Sequence, residues 1–218
     1  IPGLIIAGIA SFYTHSTFME YSRKRASSGM TGAQAAERML RRSGLTDVAV
    51  ERTQGFLSDH YDPLSRTLRL SPKVYDEDSL SAIGVACHEA GHALQDAAGY
   101  APLQFRSALV PVTNFASYFS YILIFLGFIL HAGGMIMVGA IVFSLVVLFS
   151  IVTLPVEWDA SARAKKMMVS AGIVSEAERD DAGKVLNAAF LTYLAAVLSA
   201  LLMLLYYILR AVGMSRHD

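Results

Sequence analysis

Cysteine is almost missing: Cys87 stands alone, which excludes a disulfide framework. Charge is scarce as well. Asp, Glu, Lys and Arg make up 17% of the 218 residues, and 18 bases balance 18 acids to a net charge of zero. Such a balance provides no electrostatic footprint for nucleic acid and excludes it as a partner. The same arithmetic excludes disorder, because apolar residues reach 54% of the chain and must bury surface or enter lipid. Internal repeats and low-complexity tracts are lacking too. What is present is a strongly apolar chain, with a mean hydropathy of +0.45.

The apolar residues are gathered into blocks. Stretches 108–130, 135–154 and 188–209 contain no formal charge, and each reaches the roughly 20 residues a helix needs to cross a bilayer. Only His131-Ala132-Gly133-Gly134 separates the first two, which predicts a transmembrane hairpin. Residues 1–13 read as a fourth span, about seven residues short of a full crossing. The chain opens on Ile1 rather than Met, so further residues are expected upstream. A signal peptide is the competing reading, but no small-residue cleavage pattern leads into a secreted-type domain.

This layout predicts a mostly α membrane protein of about four transmembrane helices, with a small α+β domain on one face. The segments are a first span (1–14), a polar part (15–107), the hairpin (108–154), a second polar part (155–187), a last span (188–210) and a tail (211–218). An even number of crossings separates the polar parts, so both lie on one side. Of the 18 Lys and Arg, only Arg210 and Arg216 fall on the other side. Arg23-Lys24-Arg25 follows the first span, and Arg163, Lys165 and Lys166 follow the third. By the positive-inside rule the polar face is cytoplasmic, and the unpaired Cys87 agrees with a reducing compartment.

Within the polar parts, Thr31-Gly32-Ala33-Gln34 reads as a capping box opening a helix that Gly44 ends. Residues 54–71 read as a β-hairpin, Phe56, Ser58 and His60 alternating with Leu57, Asp59 and Tyr61 around a turn at Asp62-Pro63-Leu64-Ser65. Helices are predicted over 79–98 and 157–171, and Ser175-Glu176-Ala177-Glu178 is a second capping box leading into the last span.

His88-Glu89-Ala90-Gly91-His92 lies in the helix predicted over 79–98. Residues four apart share a helix face, so both imidazoles can point at one metal ion, with Glu89 beside it to take and return a proton. Zinc is the natural ion for two neutral imidazoles plus a carboxylate, and it brings a bound water to a pKa of about 7. The alternative is two surface histidines flanking a salt-bridging Glu. Cys87 diverges from His88 by about 100° on the helix and reads as a core residue.

A third ligand must come from elsewhere, since the chain has no second HxxxH and no Gly-x-x-His after His92. Glu157 stands out two residues beyond Pro155, at the end of a span where a charge is costly unless paired or liganded. A helix N-terminal carboxylate favoured by the macrodipole is the other reading of Glu157.

The His-Glu-Ala-Gly-His helix, the upstream Asp59-His60-Tyr61-Asp62-Pro63 and the downstream Leu154-Pro155-Val156-Glu157-Trp158-Asp159-Ala160-Ser161 resemble the YugP-like neutral zinc metallopeptidases of bacterial membranes. The resemblance covers essentially the whole chain. More distantly, the order of strand, zinc helix, membrane hairpin and glutamate helix is similar to the HtpX-type and prenyl-protein (CAAX) proteases, which share a gluzincin core. That similarity implies a gluzincin-like peptidase domain, His88, His92 and Glu157 as zinc ligands, and Glu89 as general base and acid. This chain carries Ser161 where gluzincins usually place an Asp four residues after the liganding Glu. Asp96 or Asp159 is therefore considered as the supporting carboxylate. The resemblance also implies that an edge strand of the hairpin holds an extended substrate, and His60, Tyr61, Tyr75 and Arg106 are candidate oxyanion donors. The reading that follows is a zinc endopeptidase in the bacterial inner membrane, its centre on the cytoplasmic face. It would act on membrane-associated protein or peptide substrates, with other membrane-protein partners possible beside the lipid. A non-catalytic zinc-containing adaptor on the same fold is the rival, and a transporter is disfavoured because the spans carry no ionisable relay.

Overall fold

The computed structural model describes residues 2–55 and 58–214. Among the described residues, ten elements follow one another: α1 (Pro2–Tyr21), α2 (Gly32–Arg42), β1 (Ala49–Arg52), β2 (His60–Asp62), β3 (Thr67–Leu70), α3 (Pro72–Asp76), α4 (Leu80–Ala97), α5 (Ala101–Ile129), α6 (Gly133–Ser170) and α7 (Glu176–Met214). The chain divides into two compact units. One holds Ile1–Ala10, Pro102–Pro155 and Thr192–Asp218; the other holds Ser11–Ala101 and Val156–Leu191.

Among the described residues, α5, α6 and α7 are long and apolar enough to cross a membrane. The 20-residue α1 is not one of these three, and its second half turns polar at Thr14, His15, Ser16 and Thr17. In the first unit glycines bring the hairpin helices together. A Cβ on Gly127 would stand 2.7 Å from Ile136 Cγ1, and one on Gly139 2.6 Å from Ile124 Cγ1. Small residues allow such close approach in lipid, where helices associate by packing rather than by hydrophobic exclusion. Large side chains such as Phe115, Tyr118 and Ile141 face outward, as lipid-facing positions would.

Two proline-containing helices run further than their sequence signals. Residues 135–154 and 157–171 were expected as separate helices, yet α6 is continuous through Pro155. Proline removes one backbone donor and crowds the preceding turn. Apolar residues on both sides, with Val156 and Ala160 fully buried, keep the helix going. Likewise α5 begins at Ala101, takes in Arg106 and passes through Pro111.

The second unit is built on α2, α4 and a three-stranded sheet. Thr31 caps α2 with a reciprocal capping box: its side chain accepts the Gln34 amide while the Gln34 side chain accepts the Thr31 amide. Ala36, Met39 and Leu40 are buried on its inner face. Gly44, at φ +77°, takes the left-handed turn just past the helix. Strand order is β1-β3-β2, with β1 parallel and β2 antiparallel to β3. The hairpin of β2 and β3 turns where Asp62 accepts the amides of Leu64 and Ser65. Phe56 and Leu57 of the expected alternation lie outside the described residues. Strand β1 carried no sequence signal, being four residues of which only Val50 is half-buried. Leu68 and Leu70 of the central strand join Ile83, Ala86, Ala90, Met168 and Ile173 in one core.

Candidate metal centre

The core fixes the rotation of α4. Ser79 caps its start by accepting the Ala82 amide at 3.2 Å, while Ala82, Ile83, Ala86, Ala90 and Ala93 are buried. Cys87 is fully buried with them, and burial pushes its thiol up to about 12, so it is an inert core residue. His88 and His92 then share the face turned to the second-unit half of α6. Gly91 permits the approach: a Cβ there would stand 2.6 Å from the Ala160 carbonyl oxygen.

At this crossing His88, His92 and Glu157 each offer a ligand atom, all within 4.8 Å of one another. One carboxylate oxygen of Glu157 lies 3.1 Å from His88 Nε2 and 3.7 Å from His92 Nε2. The rings meet edge to face, centroids 4.8 Å apart. Side-chain exposure is 14% for His88 and 2% for Glu157, so a carboxylate sits nearly out of water against two imidazoles.

The nitrogens turned away from Glu157 are also engaged. His92 Nδ1 lies 2.9 Å from Gln95 Oε1. The Gln95 amide nitrogen donates to the Val156 carbonyl at 2.8 Å and to Asp159 Oδ2 at 2.9 Å. Both of those partners only accept, so the Gln95 oxygen must face His92, and His92 must carry its proton on Nδ1. In the neutral ring, the form a metal binds, Nε2 is then a lone pair directed at an anionic carboxylate. Two such groups repel unless a cation stands between them, which is the chemistry of a His-His-Glu zinc site. The donor set fits the metal. The acids around His92 favour positive charge there: burial lowers its proton affinity, but hydrogen bonding to Glu157 and the charge of Glu89 raise it overall, and a proton or a metal ion on Nε2 would supply that charge.

Ser161 Oγ, four residues after Glu157 on α6, lies 3.1 Å from His88 Nδ1. Of the two acids considered as the supporting carboxylate, Asp159 acts one step removed, through Gln95, and is itself bound by Arg163 at 2.6 Å. Asp96 instead accepts the Tyr61 hydroxyl at 2.9 Å. Gln95 went unremarked in the sequence; its position three residues after His92, on the same helix face, was the available signal.

Glu89 follows His88 on α4 and is half-buried. Its charge is felt by Asp59, whose carboxyl is raised by burial above all, while bonds from Ser71 pull the other way. Among the oxyanion candidates, His60 is exposed on β2 with Nδ1 2.7 Å from the Ser58 carbonyl. Tyr61 is committed to Asp96, Tyr75 on α3 is half-buried against the core, and Arg106 lies on α5 in the other unit.

Two histidines one turn apart on α4 and a glutamate from α6 could hold a metal ion, with an acid next to the first histidine. The chain belongs to the family described as "Putative neutral zinc metallopeptidase", whose sequence profile matches residues 1–212. It is similar to "Putative membrane protease YugP" of Bacillus subtilis (strain 168), 48% identical over 209 residues that cover 96% of this chain and 93% of that protein. No solved structure matches it. Zinc is the metal this family and donor set call for.

Proposed function

We propose that this protein is a membrane-embedded zinc endopeptidase with His88, His92 and Glu157 as ligands and Glu89 as general base and acid. The convergence of the three donors beside Glu89 carries the reading. Held by those ligands, zinc supplies a Lewis acid that brings a water to a pKa near 7. Glu89 takes a proton from the attacking water and delivers it to the departing amine nitrogen, so that one amide becomes a carboxylate and an amine. Gln95 and Ser161 hold the two imidazoles in the orientation that keeps both Nε2 atoms on the metal side.

The substrate would enter as an extended chain. Strand β2 is an edge of the sheet and precedes α4, so it supports the gluzincin-like reading in which a peptide backbone pairs with an edge strand over the HExxH helix. Because Tyr61 is taken by Asp96, His60 and Tyr75 are the donors from this unit to compare for oxyanion stabilisation.

In this proposal residues 15–107 and 155–187 form the peptidase part, and 1–14 is a fourth span beside the hairpin and the last helix. The charge bias favours the cytoplasmic side of a bacterial inner membrane. Glu157 follows the uncharged run 135–154 by three residues, which favours substrates that are membrane-associated or have flexible segments near the bilayer. The test is Glu89→Gln in the purified full chain against a fluorogenic peptide library. Zinc content should be unchanged and cleavage should fall about 10²- to 10⁴-fold; equal cleavage would overturn the reading.

A further inference from the structure

A second polar feature lies beside the metal centre, within the same unit. Between α6 and the start of α7 is a cleft of about 460 Å³. Two of its lining residues are aromatic, Trp158 and Phe190, which meet edge to face with centroids 5.3 Å apart. Lys165 and Lys166 from α6 line it as well. The stem of Lys165 lies across Gly183, where a Cβ would be 3.4 Å from its Cε. Its ammonium donates to Asn187 Oδ1 at 2.6 Å, a neutral amide rather than a carboxylate. With that oxygen taken, Asn187 presents its NH₂ as a second donor. Arg179 also lines the cleft, but Glu176 and Asp180 compensate its charge at 2.8 and 3.1 Å. The lysines therefore supply the net positive charge.

We propose that this cleft binds the phosphate headgroup of an anionic phospholipid, with Lys165, Lys166 and Asn187 on the phosphate and the Trp158–Phe190 pair against the glycerol and upper acyl chain. Three features select a lipid over a soluble anion or a substrate side chain. First, the cleft carries a paired Trp158 and Phe190, which a bare phosphate has no use for, whereas Trp at a membrane edge packs on the headgroup region. Second, Trp158 follows the uncharged run 135–154 by four residues, and Phe190 lies in the first turn of the run 188–209. Asn187 is three residues before Phe190, about 4.5 Å along the helix, and Lys165 and Lys166 follow Trp158 on α6, so the donors sit further from the uncharged runs than the aromatic pair. Third, Ser161 lines the cleft while its hydroxyl touches His88 Nδ1. That is the ring nitrogen opposite the one facing Glu157, so the cleft meets the metal centre from behind and not on the side where a peptide would react. Basic pockets beside membrane helices are the usual means of holding anionic headgroups.

Trp158 is the chain's sole tryptophan, which makes the site self-reporting and independent of any peptidase assay. The full chain is reconstituted in phosphatidylcholine vesicles, and Trp158 emission is followed as acyl-brominated phosphatidylglycerol or acyl-brominated phosphatidylcholine is introduced. Phosphatidylglycerol should quench at mole fractions lower by about fivefold or more, the expectation for even one lysine acting on an anionic headgroup. The preference should vanish in Lys165→Gln/Lys166→Gln and survive in Lys165→Arg, with zinc content checking the fold of each. If the double variant loses its zinc, Lys166→Gln alone, at an exposed position, should still reduce the preference. Equal quenching by both lipids in the wild type would overturn the proposal, as would a preference untouched by losing both lysines. Millimolar inorganic phosphate abolishing the preference would also overturn it, by showing a site for soluble anions.

Discussion

The Gln95 side-chain oxygen lies 2.9 Å from His92 Nδ1, and this one contact assigns the tautomer of the neutral His92 ring. Gln95 is fully buried, and its amide nitrogen has two acceptors, so it has no alternative orientation. Replacing Gln95 by Leu removes the acceptor facing His92 Nδ1 and the amide that Val156 and Asp159 share. Zinc affinity should fall about 10- to 100-fold, the usual cost of losing a group that orients a ligand, measured by competition with a chromogenic chelator.

Ser161 and His88 form the parallel contact at 3.1 Å, but a hydroxyl both donates and accepts and so constrains the ring less. Ser161→Ala should therefore weaken zinc less than Gln95→Leu does in the same competition assay. Equal losses would show that the two supports are equivalent.

Gly91 sets the distance between α4 and α6. Gly91→Ala forces a methyl to within 2.6 Å of the Ala160 carbonyl, and the helices must part. The expected cost is about 1–3 kcal/mol, read as a lower thermal midpoint together with a reduced zinc content. Unchanged values for both would mean that the helices do not meet as described.

Tyr61 couples β2 to α4 through Asp96. Burial first, and the Asp96 carboxylate second, raise the Tyr61 hydroxyl to about 12 from an ordinary value of 10. An acid whose folded value is raised contributes stability that is complete below its unfolded value and is lost as pH climbs through the folded one. Tyr61→Phe should thus be less stable than wild type at pH 8, by about 1 kcal/mol. The gap should close between pH 10 and 12 in thermal denaturation series of the two proteins.

Much of the framework was legible because it is local. The capping boxes at Thr31 and Ser175 announce α2 and α7 through residues three apart, and uncharged runs of membrane length need no tertiary information. The pairing of His88 with His92 is equally local, a matter of helical period. Glu157 is 69 residues from His88 and could be singled out only by its cost beside a span and by family resemblance. Gln95 had one local signal, its place three residues after His92, but a neutral amide on a helix gains a role only once its partners on α6 are known. The continuity of α6 through Pro155 was hidden for a related reason: local rules count the lost hydrogen bond, while the burial that outweighs it is set by packing.

The most direct test of the central claim is the zinc stoichiometry of the purified wild-type chain beside Glu157→Ala and His88→Ala. Wild type should carry one zinc per chain and both variants should lose most of it. A Glu157→Ala protein that kept its full complement of zinc would contradict the account.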